Sequence, residues 1–197
     1  MRDGVQEKQP GDRHPAPGRL ALVQSFVNTR WDLERDQKDE LGSPSELARW
    51  LRRRGLVPPG TKLGDEDLSR VLEVREGLRA LLFVNNGAAP NQDAIDRLNH
   101  VLNDSMLEVR LQPTGPPVLA SRGDGLGAAL ASLASIVTAS QTDGSWSRLK
   151  ACRGLHCGWA FYDHSRNQSG NWCAMSLCGS RTKAREYRRR KRDRAGP

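Results

Sequence analysis

Four cysteines lie close together in the last quarter of the sequence, in the pattern Cys152-x4-Cys157-x15-Cys173-x4-Cys178. Two closely spaced pairs can bring four thiolates to one point, which suits the tetrahedral coordination of one structural Zn²⁺. The alternatives are four buried thiols without a metal, or disulfides, and the clustering favours the metal over both. His156 and His164 are alternative ligands, although four thiolates already complete a closed site. Such a site leaves no open position for a substrate, so we expect no zinc catalysis.

The positive charge of the chain is concentrated in the same region. Residues 148–197 carry 13 Lys or Arg and 3 Asp or Glu, a net charge of +10, whereas residues 1–147 carry a net charge of −2. This asymmetry predicts a near-neutral body followed by a basic part that favours anionic partners.

The stretch that follows Cys178 is the most basic of all. Residues 179–194 hold nine basic and two acidic side chains, a net charge of +7. Ser180 is predicted to cap a helix that begins there. On that helix one stripe carries four arginines, namely Arg181, Arg185, Arg188 and Arg192. A charge run this dense beside a metal knuckle favours a phosphate-binding element over a merely solvated face.

No segment of the sequence resembles a signal peptide or a membrane span. Its longest apolar stretch, residues 126–139, is too short and too rich in serine to cross a bilayer. We therefore expect a soluble, cytoplasmic protein without a membrane partner, in which the thiols stay reduced.

The body reads as mostly helical. Residues 1–18 contain three prolines and no apolar periodicity, which predicts a disordered tail. Ser43-Pro44-Ser45-Glu46 is a capping box that opens a helix ending at Gly55. Apolar residues at three-four spacing predict further helices, and alternation predicts two strands. The predicted segments are an apolar helix or strand over 20–31, helices over 65–84, 91–103 and 126–139, and strands over 107–111 and 118–120.

The expected fold class is mainly α with a small β-hairpin: a helical N-terminal domain followed by a small four-cysteine zinc-finger module. Three amphipathic helices and an alanine-rich one offer enough apolar surface for a core of their own. We therefore expect residues 19–147 to fold independently of zinc.

Aromatic and turn-forming residues separate the two cysteine pairs. The aromatic side chains can shield the metal in a small core, or can stack on bases; they are Trp159, Phe161, Tyr162 and Trp172. Arg166 and Asn167 suit a tight turn, or can reach base edges.

The stretch from Arg148 to Arg190 resembles the CGNR zinc-finger domain. The matching residues are Cys152, Cys157, Trp159, Phe161, Asp163, Ser165, Arg166, Asn167, Trp172, Cys173, Cys178, Gly179, Ser180 and Arg181. The resemblance implies a four-cysteine zinc site and binding to double-stranded DNA. Candidate DNA contacts are Arg166, Asn167, Arg181, Lys183, Arg185, Arg188, Arg189 and Arg190. Ser180 replaces the asparagine of the name-giving motif, which removes any base contact by that side chain.

The body resembles the helical ABATE domain that usually precedes this zinc finger. The resemblance is carried by Phe26-Val27-Asn28-Thr29, Pro44 to Leu51, Leu78 to Leu82 and Leu98-Asn99. It implies a stress-induced transcription regulator whose body is a sensor or interaction domain. Ser25 stands where an aspartate often precedes Phe26. The expected organisation is a tail over 1–18, an ABATE-like domain over 19–145, a zinc finger with its basic helix over 146–192, and a tail over 193–197.

The sequence leaves four functions open. The leading one is a DNA-binding regulator, with the body sensing an unknown small molecule or stress signal or forming a homodimer. The second is an RNA-binding protein, and the third is a redox or zinc-sensing switch. The fourth is an enzyme, which we do not expect because no nucleophile–base pair or phosphate loop is present. Asn28 and Thr29 are candidate ligand-binding residues of the body. Together with Asp32 and His100 they are also the candidates for an enzyme site.

Overall fold

The computed structural model describes residues 9–32, 39–103, 107–114 and 117–195. Within these ranges, six α-helices and two β-hairpins follow one another. They are α1 (Leu20–Val27), α2 (Pro44–Arg53), α3 (Asp65–Asn85), α4 (Gln92–Asn103), β1 (Leu107–Arg110), β2 (Val118–Ser121), α5 (Gly125–Thr142), β3 (Leu149–Ala151), β4 (Ala160–Tyr162) and α6 (Ser180–Ala195).

The predicted helices and the first hairpin are confirmed, with ends that shift by a few residues. The side chain of Ser43 accepts a hydrogen bond from the Glu46 N–H at 3.2 Å, as the capping box requires. At the start of α3, Asp67 accepts from the Gly64 N–H at 2.9 Å. Both contacts satisfy amide donors that have no partner inside the helix.

Helix α3 is the centre of the body. It packs against α4, α1 and strand β3. The approach to α4 is close because Gly77 lacks a side chain: a Cβ atom there would lie 2.5 Å from Leu98 Cβ. A larger residue at position 77 would force the two helices apart.

The hydrophobic core runs through the body and into the second hairpin. Buried residues of α1, α3 and α5 form one cluster with Leu149, Ala151, Ala160 and Tyr162 of β3 and β4. The expectation of a separate core for residues 19–147 is therefore wrong. The reason is that β3 packs on α3 and places Leu149 and Ala151 in this cluster, so the zinc-finger segment completes the helical core.

Both hairpins are antiparallel and each is a two-stranded sheet. In the first, Val109 pairs with Leu119, and β2 packs against α5. In the second, Lys150 pairs with Phe161, and the Cys152–Cys157 turn joins the two strands. The second hairpin was not predicted because its strands have only three residues each, too few for a period to show.

The N-terminal segment differs from the predicted disordered tail. Residues 9–18 lie against the zinc-finger segment, where Arg13 donates to the Cys173 carbonyl at 2.7 Å and Ala16 is buried.

The predicted cap at Ser180 is wrong. Ser180 has helical dihedral angles and follows a π-helical turn over Met175–Gly179, so its hydroxyl donates back to the Met175 carbonyl at 3.0 Å. None of the helices in the described ranges has the length and apolarity needed to span a bilayer.

Candidate metal centre and basic cleft

The four cysteine sulfurs lie within 4.8 Å of one another. Two of the Sγ–Sγ distances are 3.8 Å, from Cys157 to Cys173, and 3.6 Å, from Cys173 to Cys178. A tetrahedral zinc ion with Zn–S bonds of about 2.3 Å separates its sulfur ligands by about 3.8 Å. The four thiols therefore fit one zinc ion, and the predicted ligand set is brought together by the fold.

Two turns hold the ligands in place. Cys152 follows β3, and its N–H donates to the Trp159 carbonyl at 2.8 Å, which closes the first turn. Cys178 lies in the π-helical turn, and its N–H donates to the Ala174 carbonyl at 3.0 Å. The turns meet at Gly154, where a Cβ atom would lie 2.7 Å from Cys178 Sγ. Glycine is required at position 154 because the sulfur occupies the space of a side chain.

The protonation of the cluster also favours a cation. The pKa of Cys152 is lowered to about 2, first by hydrogen bonds from the Cys157 and Cys173 thiols and then by backbone N–H groups. The pKa of Cys157 is raised, first because its proton is held in the bond to Cys152. Burial is the largest cause that raises the pKa of Cys178. Four thiols this close together cannot all ionise without a compensating charge, and a divalent cation would supply it.

Aromatic side chains enclose the cysteines. Phe161 is buried among the sulfurs, and Trp31, Trp159 and Trp172 pack around them. Trp31 belongs to the body, and its ring lies 5.4 Å from the Trp159 ring in an edge-to-face arrangement. Arg13 lies over the Phe161 ring at 4.8 Å. The small core predicted from Trp159 and Trp172 is thus present, and it recruits two residues from outside the zinc finger.

Polar side chains of the body are hydrogen-bonded to the zinc-finger backbone. Asn28 accepts from the Ala160 N–H at 2.7 Å and donates to the Ala160 carbonyl at 2.9 Å. Asn86 donates to the carbonyls of Ala151 and Asn171 at 2.7 and 3.1 Å. Because these groups are buried, each bond replaces hydration that the backbone has lost. The hairpin is therefore held in one orientation on the body.

Two buried arginines of α3 are paired beside this junction, and one of them, Arg79, bonds across it. Arg75 forms a two-pronged ion pair with Asp39, at 2.7 Å for each contact, and also contacts Glu76. Arg79 contacts Glu76 at 2.9 Å and donates to the carbonyls of Val27, Arg30 and Gly158. Burial alone would raise the pKa of Glu76, but the two arginines lower it. The buried charges are thus paired, as charges in an interior must be.

A buried ion pair shapes the loop after β4. Lys150 contacts Asp163 at 3.0 Å, and Asp163 also accepts from the Ser165 hydroxyl at 2.6 Å and the Gly170 N–H at 2.7 Å. Burial would raise the pKa of Asp163, but hydrogen bonds from Ser165, Lys150 and Gly170 lower it to about 2. The loop that carries Arg166 and Asn167 is anchored at this carboxylate.

A cleft of about 910 Å³ lies between the cysteine cluster and α6. One wall is formed by residues 153–157, the turn that carries Cys157, and by Trp31 and Asp32 of the body. The other wall is α6, with the four arginines of the predicted stripe, Arg181, Arg185, Arg188 and Arg192, and with Arg189 beside them. The stripe predicted from the sequence therefore faces the metal centre across an open, positively charged space.

The remaining candidate residues lie elsewhere. Arg166 and Asn167 are exposed in the loop after β4, and Lys183 and Arg190 are exposed on α6, but none of these four lines the cleft. Asn28 and Thr29 are buried. Thr29 donates to the Phe26 carbonyl at 2.8 Å and accepts from Arg75 at 3.1 Å. The polar atoms of Asn28 and Thr29 thus join elements of the protein to one another.

The contributions of Arg13, Trp31, Arg79 and Asn86 to this region were missed from the sequence. Each lies more than 60 residues from its zinc-finger partner, so no local pattern connects them. The sequence carries one signal of such contacts: arginine interrupts the apolar face of α3, and arginine is rarely buried without a specific partner.

Comparison with known families agrees with this geometry. The ABATE family model, described as a putative stress-induced transcription regulator, matches residues 20–140, more than half of the chain. The CGNR zinc-finger model matches residues 148–191. A comparison with curated proteins gives no match. The four-cysteine site and the two matches make this protein a zinc-binding regulator, and the chain belongs to the ABATE family, with a CGNR zinc finger after its helical domain.

Proposed function

We propose that the protein binds double-stranded DNA through α6 and acts as a transcription regulator. The observation that carries this proposal is the arginine stripe on the cleft-facing side of α6. A strand of the duplex backbone would lie along this stripe, where each guanidinium can neutralise a phosphate and release condensed counterions. The residues of α6 nearest to the metal site, beginning with Arg181, would then be closest to the base edges.

The link between the metal site and α6 supports this function. The helix begins two residues after the ligand Cys178, and Thr182 donates to the Cys178 carbonyl at 2.9 Å. A Cβ atom on Gly179 would lie 2.3 Å from the sulfur of Met175, so the turn between ligand and helix is tightly packed. Zinc, when bound, supplies a rigid tetrahedral cross-link between the two turns. The direction of α6 would therefore follow from the position of Cys178.

The role of the metal in this proposal is structural and the protein is not an enzyme. A closed four-thiolate site offers no coordination position for a substrate or an activated water. The body would serve as the element that senses a signal, because the hydrogen bonds of Asn28, Asn86 and Arg79 connect it to the hairpin that carries the ligands.

The test compares two double variants that remove the same charge from opposite faces of α6. Arg185→Ala with Arg192→Ala removes two cleft-facing arginines, and Lys183→Ala with Arg190→Ala removes two cations that do not line the cleft. Duplex affinity is measured by fluorescence anisotropy over a salt series. We expect the cleft-facing variant to lower the slope of log K against log salt by about two, since each phosphate contact contributes about one. The matched control should change the slope little.

If the two variants have equal effects, α6 acts only as a diffuse positive charge. If removal of residues 182–197 leaves the duplex affinity unchanged, the proposal is refuted. RNA is the second candidate, because a tryptophan beside a basic cleft also suits stacking on unpaired bases. A single-stranded RNA and an RNA duplex therefore serve as competitors. Preferential displacement by RNA would replace DNA with RNA as the partner.

A further inference from the structure

The first hairpin has an open edge. Within the described ranges, β1 pairs with no strand other than β2, and β2 is the strand that packs against α5. The outer edge of β1 therefore presents backbone N–H and C=O groups that can pair with another strand. This edge lies in the body, outside the metal centre and the basic cleft.

Strand β1 and the residue that follows it, Leu111, expose apolar side chains in a row. Leu107, Val109 and Leu111 alternate along the chain and are 38%, 66% and 81% exposed. Alternate residues of a strand share one face, so these three side chains form a continuous apolar row next to the open edge. An exposed apolar row beside an unpaired edge marks a contact surface, because burial of the apolar side chains is favourable and the edge offers backbone groups to a second strand.

The sequence of this strand is complementary to itself. Residues 107–111 read Leu-Glu-Val-Arg-Leu. If two copies pair antiparallel about Val109, then Glu108 of one copy lies opposite Arg110 of the other, and the reverse pair forms at the same time. Leucines 107 and 111 then meet each other, and Val109 meets its own counterpart. Every cross-strand pair in this register is favourable, whether by opposite charge or by apolar contact.

We propose that a second copy of this chain docks on β1, so that β1 pairs antiparallel with its own counterpart and the two hairpins form one four-stranded sheet. The two-fold axis of such a pair is perpendicular to the sheet, so the apolar rows of both copies lie on the same face. The interface is isologous and uses the outer β1 edge of each copy, so this contact closes as a dimer.

The charges on the edge are already arranged for this contact. Glu108 lies 2.6 Å from Arg110 Nε and 3.3 Å from Arg122 Nε of its own chain. Arg110 and Arg122 are mostly exposed, with side chains 63% and 64% accessible. In the paired sheet each Glu108 gains a third arginine, Arg110 of the other copy, from directly across the strand gap. Charge complementarity thus selects a second copy as the partner and selects one register.

The test uses charge reversal and mixing, in the absence of DNA, so that it is independent of the role of α6. Arg110→Glu places glutamates opposite each other in the homodimer, and Glu108→Arg places arginines opposite each other. In an equimolar mixture of the two variants, every cross-strand pair is again of opposite charge. The association of the zinc-loaded full chain is measured by sedimentation equilibrium over a concentration series.

We expect the wild type to form a dimer, each single variant to associate about tenfold or more weakly, and the mixture to restore the dimer as a heterodimer. Restoration on mixing also shows that both variants are folded. Arg97→Glu and Glu66→Arg, which reverse exposed charges on α4 and α3, are the matched controls and should leave association unchanged. A monomeric wild type, dimerisation of either variant at wild-type strength, or a mixture that stays monomeric would overturn the proposal.

Discussion

Arg79 of α3 donates a hydrogen bond of 2.6 Å to the carbonyl of Gly158, the residue that follows the zinc ligand Cys157. The same guanidinium binds the carbonyls of Val27 and Arg30 at the end of α1. One buried side chain thus connects the centre of the body, its first helix and the metal knuckle. Because the carbonyls of Gly158 and Val27 have left water, their free energy depends on this donor.

Replacing Arg79 should therefore weaken the body and the metal site together. We expect Arg79→Met to lower the free energy of unfolding by about 3 kcal/mol or more, since it leaves buried acceptors and part of the Glu76 charge without a partner. Zinc affinity should fall by about tenfold, the usual effect of losing a contact behind a ligand. The measurements are denaturant unfolding and zinc release to a competing chelator.

Arg52→Met, on the exposed side of α2, is the control for Arg79→Met and should change the unfolding free energy by no more than about 0.5 kcal/mol. Arg79→Lys keeps the charge but loses the planar fork, so it should recover only part of the stability. If Arg79→Met unfolds the body while zinc affinity stays the same, the proposed connection between the two is absent.

Zinc removal should affect more than the zinc finger. We expect one zinc ion per purified chain, and we expect Cys173→Ser to lose it. Because the β3–β4 hairpin belongs to the main core, loss of the metal should also lower the thermal midpoint of the helical signal. Metal analysis and circular dichroism at the helical band test both statements. Full zinc occupancy in Cys173→Ser would contradict the ligand assignment.

Two glycine substitutions should have opposite effects. A Cβ atom at Gly154 would lie 2.7 Å from Cys178 Sγ, whereas nothing lies within 4 Å of one at Gly127 on α5. We expect Gly154→Ala to lower zinc affinity, because the ligand sulfur must move. Gly127→Ala should instead stabilise the protein by about 0.5–1 kcal/mol, the usual gain for alanine over glycine in a helix. Chelator competition and thermal unfolding of both variants separate a steric effect at the metal from a general effect of substitution.

The carboxylate of Asp163 should contribute to the fall in the free energy of unfolding at acid pH. Its folded pKa is about 2, below the unfolded value of about 4. The stabilisation is therefore complete above pH 4 and is lost as the pH falls toward 2. Asp163→Asn should lower the unfolding free energy at neutral pH by about 3 kcal/mol and remove this part of the acid dependence.

Thiolate protonation also releases zinc in acid, in the wild type and in Asp163→Asn alike. The difference between the two unfolding free energies at each pH is consequently the quantity to follow. Asp93→Asn, at an exposed carboxylate of α4, serves as the control and should track the wild type. A difference that does not shrink as the pH falls would show that the Asp163 carboxylate is not the source.

The features that the sequence predicted correctly are local ones. The helices follow from three-four periodicity, and the start of α2 follows from the Ser43–Glu46 capping box. The ligand set follows from cysteine spacing, because two short turns are enough to bring the four sulfurs together. The arginine stripe on α6 also follows from helical periodicity, although which side it faces does not.

The features that the sequence did not predict depend on contacts between distant segments. The strands β3 and β4 are defined by packing on α3, and Arg13 is held by carbonyls of Trp172 and Cys173 that lie more than 150 residues away. The polar side chains of Asn28 and Thr29 suggest a ligand site when only their neighbours in sequence are known. In the fold their hydrogen bonds are made to α1, Arg75 and Ala160.

The bond between Asn28 and Ala160 spans 132 residues of sequence, and it has a consequence for biosynthesis. As the protein is translated, α1, α3 and α5 emerge first, with an apolar face that β3 and β4 cover in the folded protein. The last part of the core and the four zinc ligands then leave the ribosome almost together. A nascent chain that stalls before this point exposes apolar surface and is a target for chaperones and proteases. The supply of zinc during synthesis would therefore influence how much of the regulator accumulates in the cell.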